Sequence, residues 1–105
     1  MQIRFNDQVV LITGASTGIG RAAAIQFGKC GANVIVNYNK SENEAKEVVQ
    51  EIQSAGSQAL AVQADVARPE EVKRLFAEAT AAFGGRIDIL VNNAGSLLED
   101  RKSVV

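Results

Sequence analysis

The feature that most constrains the fold is a regular alternation of short aliphatic runs with amphipathic segments. The runs cover residues 9–13, 34–36, 59–62 and 87–91, and most are apolar throughout rather than alternately apolar and polar. Continuous apolar strands separated by helices of ten to fifteen residues are typical of right-handed βαβ units around a parallel sheet that is covered on both faces. The sequence therefore predicts an α/β fold.

The three intervening segments carry helix signals. The first ends before Gly31, the second follows Ser41 with capping-box spacing to Glu44, and the third opens on Pro69 with acids in its first turn. Helical spacing predicts three inner faces: Ile19, Ala22, Ala23, Phe27 and Cys30; Ala45, Val48, Val49, Ile52 and Ala55; and Val72, Leu75, Phe76, Ala79 and Phe83.

Composition narrows the function classes. The 105 residues suit one domain, and a net charge of −1 with scattered basic residues argues against a nucleic-acid or membrane partner. No apolar run approaches the ~20 residues of a membrane span, and the single Cys30 cannot form an internal disulfide, so we expect a cytoplasmic protein. The absence of histidine removes the commonest metal ligand and general base, and we predict no metal site.

A glycine-rich turn joins the first predicted strand to the first predicted helix. Residues 13–20 read Thr-Gly-Ala-Ser-Thr-Gly-Ile-Gly. The unpaired N–H groups of a helix start and the positive end of its dipole meet at such a turn, and glycines let a pyrophosphate approach the backbone. The glycine spacing differs from the common G-x-G-x-x-G pattern, so a purely structural turn that packs the helix on the sheet is the alternative.

Three motifs, in this order and spacing, resemble the short-chain dehydrogenase/reductase family. They are the turn at residues 13–20, Asp65-Val66 after the third strand and Asn92-Asn93-Ala94-Gly95 after the fourth. The similarity runs from about residue 7 to residue 95, and the nearest subgroups look like 3-oxoacyl-acyl-carrier-protein reductases and sugar or alcohol dehydrogenases. The resemblance implies a Rossmann-type doubly wound parallel sheet of four strands in the spatial order 3-2-1-4, one NAD(P)-binding domain over residues 1–105 that is truncated relative to the family.

The resemblance also implies a cofactor site. Asp65 would bond the adenine amino group, although a strand-end turn or a helix cap before Pro69 is the alternative for that carboxylate. Asn93 would instead brace neighbouring strands through its amide. The implied cofactor contacts are Gly14, Ser16, Thr17, Gly18, Ile19 and Gly20 for ribose and pyrophosphate, Asp65 and Val66 for adenine, and Asn92, Ala94 and Gly95 over the adenosine ribose.

Cofactor choice is set at the end of the second strand. An Asp or Glu there would bind a ribose 2′-OH and repel a 2′-phosphate, but this chain has Tyr38, followed by Asn39 and Lys40. No carboxylate occurs between Tyr38 and Glu42, so we predict NADP, with NAD as the alternative cofactor. Lys40 is the main candidate ligand of the 2′-phosphate, and a solvated surface lysine is the alternative for it.

No catalytic residue can be assigned. The family uses a Tyr-x-x-x-Lys pair and a Ser, whereas the one tyrosine here, Tyr38, is followed four residues later by Glu42. The prediction is an NADP-dependent oxidoreductase of which this chain supplies only the cofactor-binding half, with a small carbonyl or alcohol as substrate of a full-length form. The alternative is a non-catalytic NADP-binding or sensing module.

The sequence after Gly95 lacks periodicity and looks like a family loop in progress. Family members are more than twice this length, which favours truncation over an evolved small module. A sheet that ends at the fourth strand leaves an apolar, unpaired edge, so aggregation or pairing with another chain, including a homo-oligomer, is expected.

Overall fold

The computed structural model describes residues 3–94, in which four strands alternate with three helices. All seven predicted elements are present, and their ends lie within two residues of the predicted ones. In chain order they are β1 (Val9–Thr13), α1 (Gly18–Lys29), β2 (Asn33–Tyr38), α2 (Glu42–Ser54), β3 (Ala59–Gln63), α3 (Pro69–Ala82) and β4 (Ile89–Asn92).

The four strands form one parallel sheet in the order β3-β2-β1-β4, which confirms the expected Rossmann-type topology. Val10 of β1 pairs with Val34 on one side and with Ile89 on the other. The chain therefore builds outward from β1 to β3 and then crosses back to β4. The gap between β1 and β4 is the switch point at which doubly wound sheets bind their ligands, outside the carboxyl ends of the strands.

Two apolar layers hold the helices against the sheet. One layer joins Val10 and Val34 to Val48 and Ile52 of α2, with α1 on the same face. The other joins Leu11, Ile35 and Val62 to Leu75 of α3 on the opposite face, so β1 and β2 are buried on both sides. Within residues 3–94, no helix is long and apolar enough to span a membrane.

The predicted inner face of α1 is right only in part: Ala23 and Phe27 pack against the core as predicted, but Ala22 is exposed. Ile19 is 81% exposed and Cys30 is partly exposed, whereas Gly20, Ala24 and Gly28 are buried. A Cβ on Gly28 would lie 2.7 Å from Cγ2 of Ile52, so the missing side chain lets α1 pack directly on α2. Apolar spacing missed this face because two of its three members are glycines.

The helix starts match the sequence signals only in part. Pro69 occupies the first turn of α3, as predicted. Ser41 is the N-cap of α2, but its side chain makes no capping hydrogen bond, so the expected capping box with Glu44 does not form. The backbone N–H of Glu42 instead bonds the carbonyl of Lys40 at 3.0 Å, which turns the chain tightly into α2.

Strand β4 is an edge of the described sheet. It pairs with β1, and Leu90 is 43% exposed. The residues that the structure describes contain no strand on its other side. An exposed aliphatic edge of this kind favours pairing with a further strand.

At the amino end of the sheet, Asp88 ties β4 to β1. Its carboxylate accepts from the N–H of Val9 at 2.7 Å and from Nε of Arg86 at 3.0 Å, and its own N–H bonds the Val9 carbonyl at 2.8 Å. The Val9 N–H, and next the Arg86 guanidinium, lower the pKa of Asp88 below its ordinary value of 3.8.

This lowered pKa predicts an acid-dependent loss of stability. Asp88 stabilises the fold fully above its unfolded pKa, and that stabilisation is lost as the pH falls through the lower folded-state pKa. We expect Asp88→Asn to lower the urea midpoint of unfolding at pH 7. The difference in midpoint between the variant and the unsubstituted chain should shrink toward pH 3. Glu44→Gln, at an exposed position in the first turn of α2, is the control. A difference in urea midpoint that does not change with pH would contradict the lowered pKa of Asp88.

Candidate functional site

The turn from β1 into α1 lies at the carboxyl edge of the sheet, beside the switch point. Gly14 and Gly18 both have φ of 60°, a left-handed conformation that side chains disfavour. Ala15 and Ser16 are buried beneath the turn, whereas Thr17, Gly18 and Ile19 are exposed. The turn therefore exposes the backbone of Gly18 together with the side chains of Thr17 and Ile19.

The N-terminus of α1 has N–H groups that nothing in the described chain satisfies. Thr17 is the N-cap but makes no side-chain capping bond, and the first turn contains no acid, whereas α2 and α3 each begin with two. Within residues 3–94, no hydrogen bond uses the backbone N–H groups of residues 16–20. Unpaired donors at the positive end of a helix dipole form a site for an anion.

Two asparagine side chains hold the turn from neighbouring strands. Oδ1 of Asn37, in β2, accepts from the N–H of Gly14 at 3.1 Å. Nδ2 of Asn93, which follows β4, donates to the carbonyl of Gly14 at 3.0 Å. The bracing predicted for Asn93 is confirmed, and its partner is the glycine turn itself. Both polar groups of the Gly14 backbone are thereby fixed before any ligand arrives.

Gly20 is needed because this arrangement lies directly against the first turn of α1. A Cβ on Gly20 would lie 2.6 Å from Nδ2 of Asn93 and closer still to the carbonyl oxygen of Gly14. A hydrogen-bonded pair and a side chain cannot share this space. The third glycine of the turn therefore protects the shape of the turn.

The end of β4 is joined to the end of β1 through Thr13. The buried Thr13 hydroxyl donates to Oδ1 of Asn92 at 3.2 Å and accepts from the N–H of Ala94 at 3.1 Å. Asn92 is half-buried and Ala94 is exposed, so both lie at the mouth of the switch point. Gly95, the remaining predicted ribose contact, lies outside the described residues.

The end of β3 carries the two predicted adenine contacts. Oδ1 of Asp65 accepts from the N–H of Ala67 at 3.0 Å, so this carboxylate makes the strand-end turn that the sequence offered as its alternative role. The Asp65 N–H bonds Oε1 of Glu71 in α3 at 2.7 Å. Val66 is only 8% exposed and packs with the α3 layer, so it offers a small apolar surface to a ligand.

The loop after β2 carries the predicted 2′-phosphate residues. Tyr38 is half-buried against the layer formed with α1 and α2, and Asn39 is exposed with its Oδ1 bonded by Nε2 of Gln63 at 3.3 Å. Lys40 is exposed and takes part in none of the ion pairs within residues 3–94. Arg21, by contrast, is held by Glu47 of α2 at 3.2 Å.

All four strand ends carry predicted site residues, and the parallel sheet brings these ends to one edge. The sequence argument missed Asn37 as a structural residue, although it is 98% buried: only 2% of it is exposed. A signal was present, since an amide that directly follows three aliphatic strand residues is expected to be buried, and a buried amide must find hydrogen-bond partners.

Comparison with known sequences gives a consistent match. The family model described as short chain dehydrogenase matches residues 8–104. The chain is 52% identical over 89 residues to hydroxynaphthalene reductase-like protein Arp2 of Metarhizium acridum, which covers 85% of this chain and 33% of that protein. The chain thus spans about a third of the length of the curated relatives it matches. The expected closeness to 3-oxoacyl-acyl-carrier-protein reductases is not tested by these matches and stays a prediction.

Comparison with solved structures extends the match to the fold. A dehydrogenase from Burkholderia cenocepacia with bound NADP superposes with a TM-score of 0.80 at 33% identity, covering 88% of this chain and 36% of that one. A 7α-hydroxysteroid dehydrogenase complexed with NADH and 7-oxo glycochenodeoxycholic acid superposes with a TM-score of 0.80 at 39% identity, covering 85% of this chain and 34% of that one. One of these relatives was solved with NADP and the other with NADH.

Proposed function

The chain belongs to the short-chain dehydrogenase/reductase family, and from this membership we propose that it forms the NADP-binding part of an oxidoreductase. The reaction of the whole enzyme would be reduction of a small carbonyl compound or oxidation of the corresponding alcohol. Bound NADP supplies or accepts the hydride in such chemistry. This chain's own residues bind and orient the cofactor.

One observation carries the proposal: the open N-terminus of α1 at the switch point. Residues 16–20 leave their N–H groups without partners in the described chain, and Asn37 and Asn93 hold the turn in place. A pyrophosphate is an anion that fits such a donor set. The cofactor-binding residues we propose are Gly14, Ser16, Thr17, Gly18, Ile19, Gly20, Tyr38, Asn39, Lys40, Asp65, Val66, Asn92, Ala94 and Gly95.

Preference for NADP over NAD follows from charge at the end of β2. The exposed Lys40 belongs to none of the ion pairs in the part of the chain that the structure describes, so its ammonium is free to meet a 2′-phosphate. The nearest acid downstream, Glu42, already pairs with Lys46 at 3.3 Å. No carboxylate stands at Tyr38, Asn39 or Lys40 to repel that phosphate.

A single observation favours a second candidate, a non-catalytic NADP-binding or sensing module. The one tyrosine, Tyr38, lies at the end of β2 among the predicted adenosine contacts, and no Tyr-x-x-x-Lys pair occurs in the 105 residues. The intact mass of the protein in its native source separates the candidates. A mass more than twice 11.1 kDa supports the oxidoreductase, and a mass of 11.1 kDa supports the binding module.

The binding half of the proposal predicts a simple titration result. We expect the 105-residue chain to bind NADPH saturably, with weaker binding of NADH and no turnover of carbonyl substrates. Quenching or enhancement of the nicotinamide fluorescence on titration measures the binding. Lys40→Gln should weaken NADPH binding by about tenfold and leave NADH binding unchanged, because it removes the one charge-assisted contact proposed for the 2′-phosphate. Failure to bind either dinucleotide would contradict the proposal.

A further inference from the structure

We propose that Asn37 is a positioning residue that sets the spacing between the two halves of the candidate cofactor cleft. One half is the glycine turn after β1, and the other is the Asp65-Val66 corner after β3. The inference rests on the proposed function, since the two halves share a task only if one dinucleotide spans them.

The contacts of Asn37 join both halves through one residue. Oδ1 accepts from the N–H of Gly14 at 3.1 Å, and the Asn37 backbone carbonyl accepts from the N–H of Ala15 at 2.8 Å. Nδ2 donates to the carbonyls of Val62 and Ala64, both at 3.2 Å. The orientation of the amide is determined by its partners, because Gly14 can only donate and the two carbonyls can only accept.

The bond from the Asn37 amide to Ala64 lies just beyond the last paired residues of β2 and β3. The β2–β3 ladder ends with Tyr38 beside Gln63, and the Asn37 amide reaches one residue further, to the residue directly before Asp65. Ala64 is thus held twice where the chain leaves β3: its N–H donates to the carbonyl of Tyr38 at 2.9 Å, and its carbonyl accepts from the Asn37 amide. The angle at which Asp65 and Val66 face the cleft follows from this attachment.

Burial alone does not explain an asparagine here. The three preceding residues of β2, Val34, Ile35 and Val36, are fully buried aliphatic side chains. An aliphatic residue at position 37 would fill the same space without joining the turn to β3. The buried amide is satisfied by groups from both halves of the cleft, and a satisfied buried network rigidifies its surroundings. A cleft held rigid before binding loses less ordering entropy when a ligand enters.

Asn37→Asp separates this role from general stability. The aspartate keeps an acceptor for Gly14 but places an oxygen against the carbonyls of Val62 and Ala64. The carbonyls of Val62 and Ala64 lose their donor while the turn remains held, and the end of β3 then depends on its backbone bond from Ala64 to Tyr38. We expect NADPH binding to weaken by about tenfold, with the loss falling on the Asp65 side of the cleft.

A double-mutant cycle with Asp65→Asn measures that coupling. The asparagine retains an acceptor for Ala67, so the local turn survives, but it replaces the carboxylate oxygen offered to the adenine amino group. We expect Asp65→Asn to weaken NADPH binding about tenfold in the unsubstituted chain, and less than threefold in a chain that already carries Asn37→Asp. If Asn37→Asp acted only by lowering stability, Asp65→Asn would weaken NADPH binding by the same factor with and without it.

Two further variants complete the test. Gln50→Glu makes the same amide-to-carboxylate change on the exposed face of α2 and should leave NADPH affinity unchanged. Asn37→Ser, which is uncharged, replaces Asn37→Asp in the cycle if the aspartate variant does not melt cooperatively. An equal cost of Asp65→Asn in both backgrounds, zero included, overturns the inference and leaves the proposed function standing. Failure of the unsubstituted chain to bind NADPH overturns both.

Discussion

A chain carrying Gly20→Ala is expected to bind NADPH about 10- to 100-fold more weakly than the unsubstituted chain. The new Cβ would lie 2.6 Å from Nδ2 of Asn93 and against the carbonyl oxygen of Gly14. The Gly14 oxygen is backbone and cannot turn aside as a side chain can, so the turn itself must move. That movement breaks the 3.0 Å bond from Asn93 to Gly14 and displaces the N–H groups proposed to meet the pyrophosphate.

The matched control is Gly28→Ala in the same helix. Its Cβ would lie 2.7 Å from Cγ2 of Ile52, at the end of α1 away from the cleft. Overpacking there should lower the free energy of unfolding by about 1–3 kcal/mol without changing the NADPH affinity of the folded chain. Titration of NADPH, with thermal melting of each variant, separates the two effects. Equal affinity of Gly20→Ala and the unsubstituted chain would refute the proposed place of the pyrophosphate.

Tyr38→Asp is expected to reverse the cofactor preference. A carboxylate at the end of β2 would face the ribose 2′ position, where it accepts from the 2′-OH of NADH and repels the 2′-phosphate of NADPH. We expect NADPH binding to weaken by on the order of a hundredfold and NADH binding to strengthen by up to about tenfold. Parallel titrations of NADH and NADPH at one ionic strength provide the measurement, because added salt screens this repulsion.

The control for this reversal is Tyr38→Phe, which keeps the aromatic ring packed against the core layer and removes only the hydroxyl. It should retain the NADPH preference. If Tyr38→Asp lowered both affinities equally, the loss would come from disturbed packing, and the end of β2 would not be the site that distinguishes the two cofactors.

The strand and helix pattern could be predicted because its signals are local. Unbroken aliphatic runs such as residues 9–13, and the proline that opens α3, mark their elements without reference to distant residues. The capping box at Ser41 did not form: Ser41 has φ of −89° and ψ of 63°, not the extended backbone that is typical of a capping residue. The inner face of α1 was predicted only in part for a different reason: hydrophobic spacing gives no weight to Gly20 and Gly28, which allow the helix to approach its neighbours closely.

The candidate site was predictable in its residue types but not in its internal contacts. The turn at residues 13–20 and the Asn-Asn-Ala-Gly segment were found by pattern, and the parallel sheet brings their described residues to one edge. The sequence argument assigned no structural role to Asn37. Its partners Gly14 and Ala64 are 23 and 27 residues away in the chain, and no local pattern reveals such pairings.

By itself the sequence determined the α/β class, the element order and, through family motifs, the strand order, because periodicity, glycine placement and motif order are properties of neighbouring residues. Only the tertiary structure decided which hydrogen-bonding groups already have partners within the protein. It placed Asp65 in a turn with Ala67, buried Asn37 between two strand ends and left the first N–H groups of α1 without partners in residues 3–94. The physical reason is that hydrogen bonding and burial depend on which atoms meet across the sheet, and strand pairing joins residues far apart in the chain.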